Sequence, residues 1–333
     1  MENLINFYGV DVSKKTLDIT LIIEGKKVLF TKIDNADKEI KQFLKSVFKD
    51  GRTIENTVFC MEYTGVYNYR LLMALLEFDV KIWLERALHI KRTMGLVRGK
   101  NDKVDAERIA MFAFKNVVDI KLWQPKRKVI IQLKSLLRVR SQTMKSIECY
   151  RLPIKESNEA GDKELAKLLK QNSSKIIKTL TTSKKEIEKQ MLNIIKENEN
   201  LSHLFKIITS IPYAGTICAI TMIVTTNEFK DFKNARKFAC YGGVAPFEHS
   251  SGTSIRGKTR VSQLANKEVK TLLNMIAIGS ISKPGEMKTY FERKVVEGKN
   301  KMLILNNIRN KFIKRIFACI NYNKLYNQEL FVV

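Results

Sequence analysis

Residues 98–106 read RGKNDKVDA, and they decide how the rest of the chain is understood. They set Asp102 and Asp105 three residues apart, just before AERIAMFAF, whose apolar residues recur at helical spacing. Residues i and i+3 share a helix face, so both carboxylates point the same way. Two readings follow. One is a plain helix start, with Asp102 as N-cap and Asp105 reaching back as a weak capping box. The other is a pair of ligands for a divalent cation, which requires further acids at nearby strand ends.

Two such acids lie upstream. Residues 5–12 form a mostly apolar strand ending near Asp11, inside INFYGVDVSKKTLD. Residues 16–23 and 27–33 follow as strands around a Glu24-Gly25 turn, an antiparallel meander. A helix over 37–49 carries Ile40, Phe43, Leu44, Val47 and Phe48 on one face. A short buried-type strand over 56–61 runs into Glu62, a helix spans 67–78, and a strand spans 80–84. A basic connector then leads to the helix at Asp102. Three strands, helix, strand, helix, strand, helix is the order of a ribonuclease-H-like α/β fold. Open α/β sheets gather ligands at the carboxyl ends of their strands, so Asp11, Glu62, Asp102 and Asp105 are expected to converge. Four carboxylates without histidine or thiolate suit Mg²⁺, with Mn²⁺ as a substitute. Two such ions about 4 Å apart would clamp the attacking and leaving oxygens of a phosphodiester.

Composition points to the same substrate class. The chain has 333 residues and 60 Lys+Arg against 34 Asp+Glu, a formal net charge of +26. So basic a surface attracts polyanions, nucleic acid first. The charge is uneven: residues 1–110 carry net +3 and residues 201–333 net +13, which leaves the N-terminal acids in a nearly balanced region. No apolar run approaches the roughly 20 residues of a transmembrane helix, and MENLINFYG lacks a signal-peptide pattern, so no membrane partner is expected. The five cysteines are far apart with no paired spacing and read as buried free thiols in a reducing, cytoplasmic setting. Three histidines exclude a histidine-rich metal site.

Beyond Lys126 the strand signals stop. An amphipathic helix over 128–151 is interrupted by Pro153 and SNEAGD, and helices resume over 163–169 and 176–198. A helical hairpin or coiled-coil arm results, suited to making a homodimer or homotetramer. Residues 204–225 resemble a helix-hairpin-helix whose turn, with the single glycine Gly215, could present N–H groups to phosphate. Residues 241–270, YGGVAPFEHSSGTSIRGKTRVSQLANKEVK, read as a polar phosphate-binding loop with Arg256, Lys258, Arg260, Lys267 and Lys270. Arg98 and Lys100 extend the same chemistry beside the paired aspartates. A serine here would need a base or a metal-organised site to act as a nucleophile, and His249 is the nearby candidate base. Three domains are expected: 1–125, 126–200 and 201–333.

In these motifs the chain resembles the DEDD insertion-sequence transposases, a group that includes Piv-type DNA invertases and bridge-RNA-guided recombinases. GVDVSKKTLD, CMEYTGVY and RGKNDKVDAERIA are similar to the three N-terminal motifs. GGVAPFEHSSGTSIRGKTRVS is similar to the C-terminal motif, and GKNKMLILNNIRNKFIKRI to the closing basic helix. The resemblance implies a Holliday-junction-resolvase-like domain whose four acids fall on Asp11, Glu62, Asp102 and Asp105. It places the nucleophilic serine, which precedes a glycine, at Ser251, with Ser250 as fallback. It further implies Mg²⁺, a covalent phosphoserine link to double-stranded DNA, a structured noncoding guide RNA and a nucleoid-associated location. Gln263, Ala265 and Lys270 depart from the residues usual in the closing pattern. A junction-resolving endonuclease, or an invertase without an RNA guide, is the alternative function.

Overall fold

A computed structural model describes residues 4–49, 52–95, 102–251 and 255–327. The chain divides into two compact units, Met1–Pro125 and Lys126–Val333.

The first unit is a five-stranded mixed sheet. Strands β1 (Asn6–Val12), β2 (Thr16–Ile23) and β3 (Lys26–Asp34) form an antiparallel meander, turning at Glu24 and Gly25 with positive φ. Helix α1 (Asp37–Lys49) returns the chain so that β4 (Thr57–Glu62) pairs parallel with β1. Helix α2 (Tyr69–Glu77) does the same for β5 (Lys81–Glu85) beside β4. The order β3-β2-β1-β4-β5 is the one expected for a ribonuclease-H-like sheet.

Strand alternation fixes the two faces. Tyr8, Val10, Leu17, Ile19, Phe59 and Met61 pack against Ile40, Leu44, Leu71 and Leu75 of α1 and α2. Phe7, Ile22, Val58, Cys60 and Trp83 face the other way, onto Ile90 of α3 (Ala87–Met94) and Ile109, Ala110 and Phe112 of α4 (Asp102–Lys115). Helix α3 corrects the expectation of a plain connector: Ile90 is buried, Met94 packs beside it and the His89 ring meets Phe112 edge-on, which docks this short basic helix.

The second unit is mainly helical. Helices α5 (Lys128–Glu159) and α6 (Lys163–Lys196) pack along one another as a hairpin, braced by Arg140 Nε donating to Glu188 Oε1 at 2.7 Å. Pro153 does not interrupt α5, contrary to expectation, nor is α6 split. Pro153 and Cys149, whose carbonyl loses its donor four residues on, are both exposed, so water can serve that carbonyl. Cys149, exposed, and Cys240, partly buried, also depart from the expectation of buried thiols, whereas Cys60, Cys218 and Cys319 are buried. Burial pushes the Cys218 thiol up to about 12, which leaves it inert.

The hairpin's base enters the main core of the unit. Ile130, Leu133, Met191 and Ile195 pack there with α7 (Glu199–Thr209), α8 (Thr216–Thr226), α9 (Ala235–Tyr241), α10 (Lys267–Ile281), α11 (Glu286–Val296) and α12 (Lys301–Asn321). Between α9 and α10 runs a two-stranded hairpin of β6 (Pro246–Ser251) and β7 (Ile255–Val261). The stretch read as a polar loop is therefore largely strand: its Ser/Gly composition signals a loop, but the two arms satisfy each other's backbone groups by pairing.

Candidate functional site

The acid centre is built on the closest helix–strand contact of the first unit. A Cβ placed on Gly9, in the middle of β1, would lie 2.1 Å from the Ala110 nitrogen and 2.3 Å from the Ala106 oxygen. Only glycine admits α4 so close to the strand. Ala106, Ala110 and Ala113 are fully buried on the same helix face, so the contact is backbone against backbone. The first turn of α4 thereby reaches the end of β1. Asp11 lies two residues beyond Gly9 on the same sheet face, and Glu62 ends the neighbouring parallel strand on that face as well.

The four acids act on one another through space. Burial raises the Asp11 carboxyl to about 6, helped by the negative charges of Asp102, Asp105 and Glu62, then Asp18. Glu62 is also raised, first by burial, then by Asp105, with Arg108 opposing. Asp105 accepts a hydrogen bond from Arg108 Nη1 at 3.3 Å. No Lys or Arg among the described residues pairs with Asp11 or Glu62. Among the described residues, no three potential ligands already surround one point closely enough to hold an ion. The donor set nonetheless fits a hard divalent cation: it is all oxygen and half-buried at Asp11 and Glu62.

Two residues escaped the sequence reading. Asp18 is paired directly opposite Asp11 across β1 and β2, and its side chain is 3% exposed. Lys32, opposite Asp18 on β3, lies with Nζ 3.2 Å from Asp18 Oδ2 and 4.0 Å from Asp102 Oδ2. Lys32 thus ties the sheet to the first turn of α4. The only signal in sequence was strand parity: Asp11, Asp18 and Lys32 share a face once the register is known.

In the second unit, Ser250 and Ser251 end β6, opposite Arg256 and Ile255, and His249 pairs with Gly257. Arg256, Lys258 and Arg260 take alternate positions of β7, while Lys267 and Lys270 lie in the first turn of α10. That turn is capped by Asn266, whose side chain accepts from the Val269 N–H at 3.0 Å. Gly243 (φ +64°) lets Ala265 and the stem of Lys270 close in, since a Cβ there would meet Ala265 Cβ at 2.6 Å. Residues Arg98 and Lys100, and Gly252, which follows Ser251, lie outside the described residues.

Known proteins match along most of this chain. Residues 8–151 match a family described as "Transposase", and residues 205–292 match the "Transposase IS116/IS110/IS902 family". The pilin gene-inverting protein of Moraxella bovis is 24% identical over 330 residues, covering 97% of this chain and 98% of that one. The transposase for insertion sequence element IS1111A of Coxiella burnetii is 22% identical over 358 residues, covering 97% and 91%. Among solved structures, T. thermophilus RuvC in complex with Holliday junction substrate is 12% identical, covering 36% of this chain and 99% of that chain at a TM-score of 0.29.

Proposed function

A chain that belongs to the DEDD-type insertion-sequence transposases is a DNA-recombining enzyme, and on that premise we propose that it cuts and rejoins double-stranded DNA with its acid centre and Ser251. The observation that carries this reading is the shared field at the end of β1, where four other carboxylates, Glu62, Asp102 and Asp105 among them, act on Asp11 in a chain that matches two transposase families. Asp11, Glu62, Asp102 and Asp105 would hold Mg²⁺, or Mn²⁺ in its place. The bound ions would supply charge neutralisation at the scissile phosphate.

The chain's own residues divide the remaining work. Ser251 Oγ gives up its proton and bonds to phosphorus. The DNA oxygen on the far side leaves and takes up a proton. The phosphoserine ester keeps the strand activated, so a second DNA hydroxyl can displace the serine without an external energy source. Arg256, Lys258, Arg260, Lys267 and Lys270, with Arg98 and Lys100, contact the nucleic-acid backbone as a non-specific cationic surface. A structured noncoding RNA would choose the target by base pairing. The α5–α6 hairpin joins copies into a dimer or tetramer, and the protein works in the cytoplasm at the nucleoid.

The test is a suicide DNA substrate whose cut strand cannot be rejoined. Wild type traps a covalent protein–DNA adduct and Ser251→Ala traps none. An adduct of equal yield from Ser251→Ala overturns the serine assignment, and free ends without any adduct indicate simple hydrolysis. Inversion rather than transposition is the second reading, favoured by the end-to-end similarity to a pilin gene-inverting protein. The two differ in the arrangement of DNA sites and share the same chemistry.

A further inference from the structure

Next to the root of the β6–β7 hairpin lies a buried positive charge that pairs with no carboxylate among the described residues. Arg309 of α12 is 5% exposed. Its Nη2 donates to Asn274 Oδ1 on α10 at 2.6 Å, and its Nη1 to Asn306 Oδ1, one turn back on α12, at 3.4 Å. Its Nε is buried without a partner, and burial pushes the guanidinium below its usual range. A buried charge met only by neutral amides costs free energy, and apolar residues of similar volume often cost less, so stability alone does not account for it.

What the charge does is orient Asn306. The Asn306 Nδ2 donates to the Val244 carbonyl at 2.8 Å, two residues before β6 begins. A guanidinium has donors and no acceptor, so Asn306 must turn its oxygen toward Arg309, which leaves its Nδ2 for Val244. The Val244 and Ala245 N–H groups both donate to the Ala239 carbonyl of α9, at 2.8 and 3.2 Å. On the returning side, Asn266 donates from its backbone N–H to the Tyr241 carbonyl and from Nδ2 to the Tyr241 hydroxyl, each at 2.8 Å. Strands β6 and β7 pair with each other, and no other described element packs broadly along them. The hairpin is therefore aimed by its root. Ser251 follows Val244 by up to about 23 Å of extended strand, so a tilt of about 5° at the root shifts it by about 2 Å.

We propose that Arg309 and Asn306 are positioning residues for strand joining: through the Val244 carbonyl they set the angle at which β6 presents Ser251. This rests on Ser251 being the nucleophile. A displacement of about 1 Å at a reacting group costs about a hundredfold in rate, so residues at the root govern the serine's reaction without touching DNA. Asn274 has a different part. It shares the guanidinium from α10 and has no bond to the root, so its contribution is to the burial of Arg309 alone.

The experiment compares Asn306→Asp with Asn274→Asp in the full chain. Three quantities are read: the single-turnover rate of adduct formation on the suicide substrate at saturating DNA, DNA affinity in EDTA, and hydrogen exchange of the β6 and β7 amides. Asn306→Asp keeps an oxygen for Arg309 but has no N–H for the Val244 carbonyl. It is expected to slow adduct formation by at least about tenfold and to speed exchange along both strands. Its DNA affinity should stay within about twofold of wild type, because no phosphate contact is removed. Asn274→Asp gives Arg309 the same added negative charge and leaves Asn306 in place, so it should react and exchange as wild type does. Should Asn306→Asp fail to fold, Asn306→Ala removes the same donor and carries the same expectations. Adduct formation at the wild-type rate without the Asn306 donor would overturn the proposal. So would equal slowing in the Asn274 variant, or a loss that appears as weaker DNA binding with the saturated rate unchanged. If Ser251→Ala still traps the adduct, the serine reading fails, while hydrogen exchange reports on the root by itself.

Discussion

The two units handle charge in opposite ways. Residues 1–110 are nearly neutral, net +3, yet concentrate four carboxylates where one strand end meets one helix start. Residues 201–333 carry net +13, with basic residues at alternate positions of β7 and in the first turn of α10. Gathering like charges costs free energy and needs a stiff frame. Spreading cations over a surface costs little, because water and salt screen them. So the first unit has Gly9 beneath α4 and Lys32 tied to Asp18 and Asp102, while in the second unit Lys267 and Lys270 follow an ordinary helix cap at Asn266 and the basic residues of β7 sit on a paired strand. The lesson is that like charges are gathered where the packing is least tolerant.

The largest effect should come from removing a carboxylate. Asp11→Asn and Asp102→Asn should each lower Mg²⁺-dependent DNA cleavage by at least about a hundredfold, since even the outer partners of metal ligands are worth 10–100-fold. Neither should weaken metal-free DNA binding, measured by anisotropy, because on the proposed reading the affinity comes from the basic residues and not from the carboxylates. If binding fell in step with cleavage, the division between the units would be wrong.

Gly9→Ala should come next. The added methyl meets the α4 backbone, which cannot rotate away as a side chain can. Over-packing of this kind costs about 1–3 kcal/mol, to be read from urea unfolding, and the retreat of α4 should weaken Mn²⁺ binding as well. A comparable change at Gly161 (φ +83°), where a Cβ meets nothing within 4 Å, should leave Mn²⁺ binding untouched.

The smallest effect concerns pH. The Asp11 carboxyl is raised from 3.8 to about 6, so the folded state favours its protonated form. The metal-free fold should therefore lose stability as pH rises from about 4 to 6 and then level off, since above 6 the group is ionised both folded and unfolded. Allowing for partial exposure, Asp11 accounts for about 1 kcal/mol of that loss. Thermal melts of wild type and Asp11→Asn across this range check it: the variant should lack that part of the slope. Added Mg²⁺ should stabilise wild type more at pH 7.5 than at pH 5, where it competes with the proton.

Much of this was legible in the chain itself. The meander shows in period-two alternation, and α1 and α2 in their apolar stripes. Asp11 and Glu62 stand out in combination, because each lies at the end of a short apolar run that reads as a strand. What stayed hidden depended on pairs distant in sequence. Lys32 and Asp18 look like two more surface charges until the β2–β3 register sets them opposite each other. Gly9 looks like one small residue in a strand until Ala106 and Ala110 arrive against it. Pro153 misled because its effect depends on whether water can reach the Cys149 carbonyl, and that is a property of the folded surface. The β6–β7 hairpin was masked by its serines and glycines, which have weak strand preference and are held by pairing instead.

All of it depends on one arrangement: side chains from β1, β4 and α4 sharing hard cations. Manganese soaked into crystals of the protein, located by its anomalous scattering, tests that directly. The expected result is manganese density contacting Asp11 together with Glu62 and at least one of Asp102 and Asp105, absent from Asp11→Asn crystals. Manganese bound only elsewhere at saturating concentration, with these four carboxylates left in water, would contradict it.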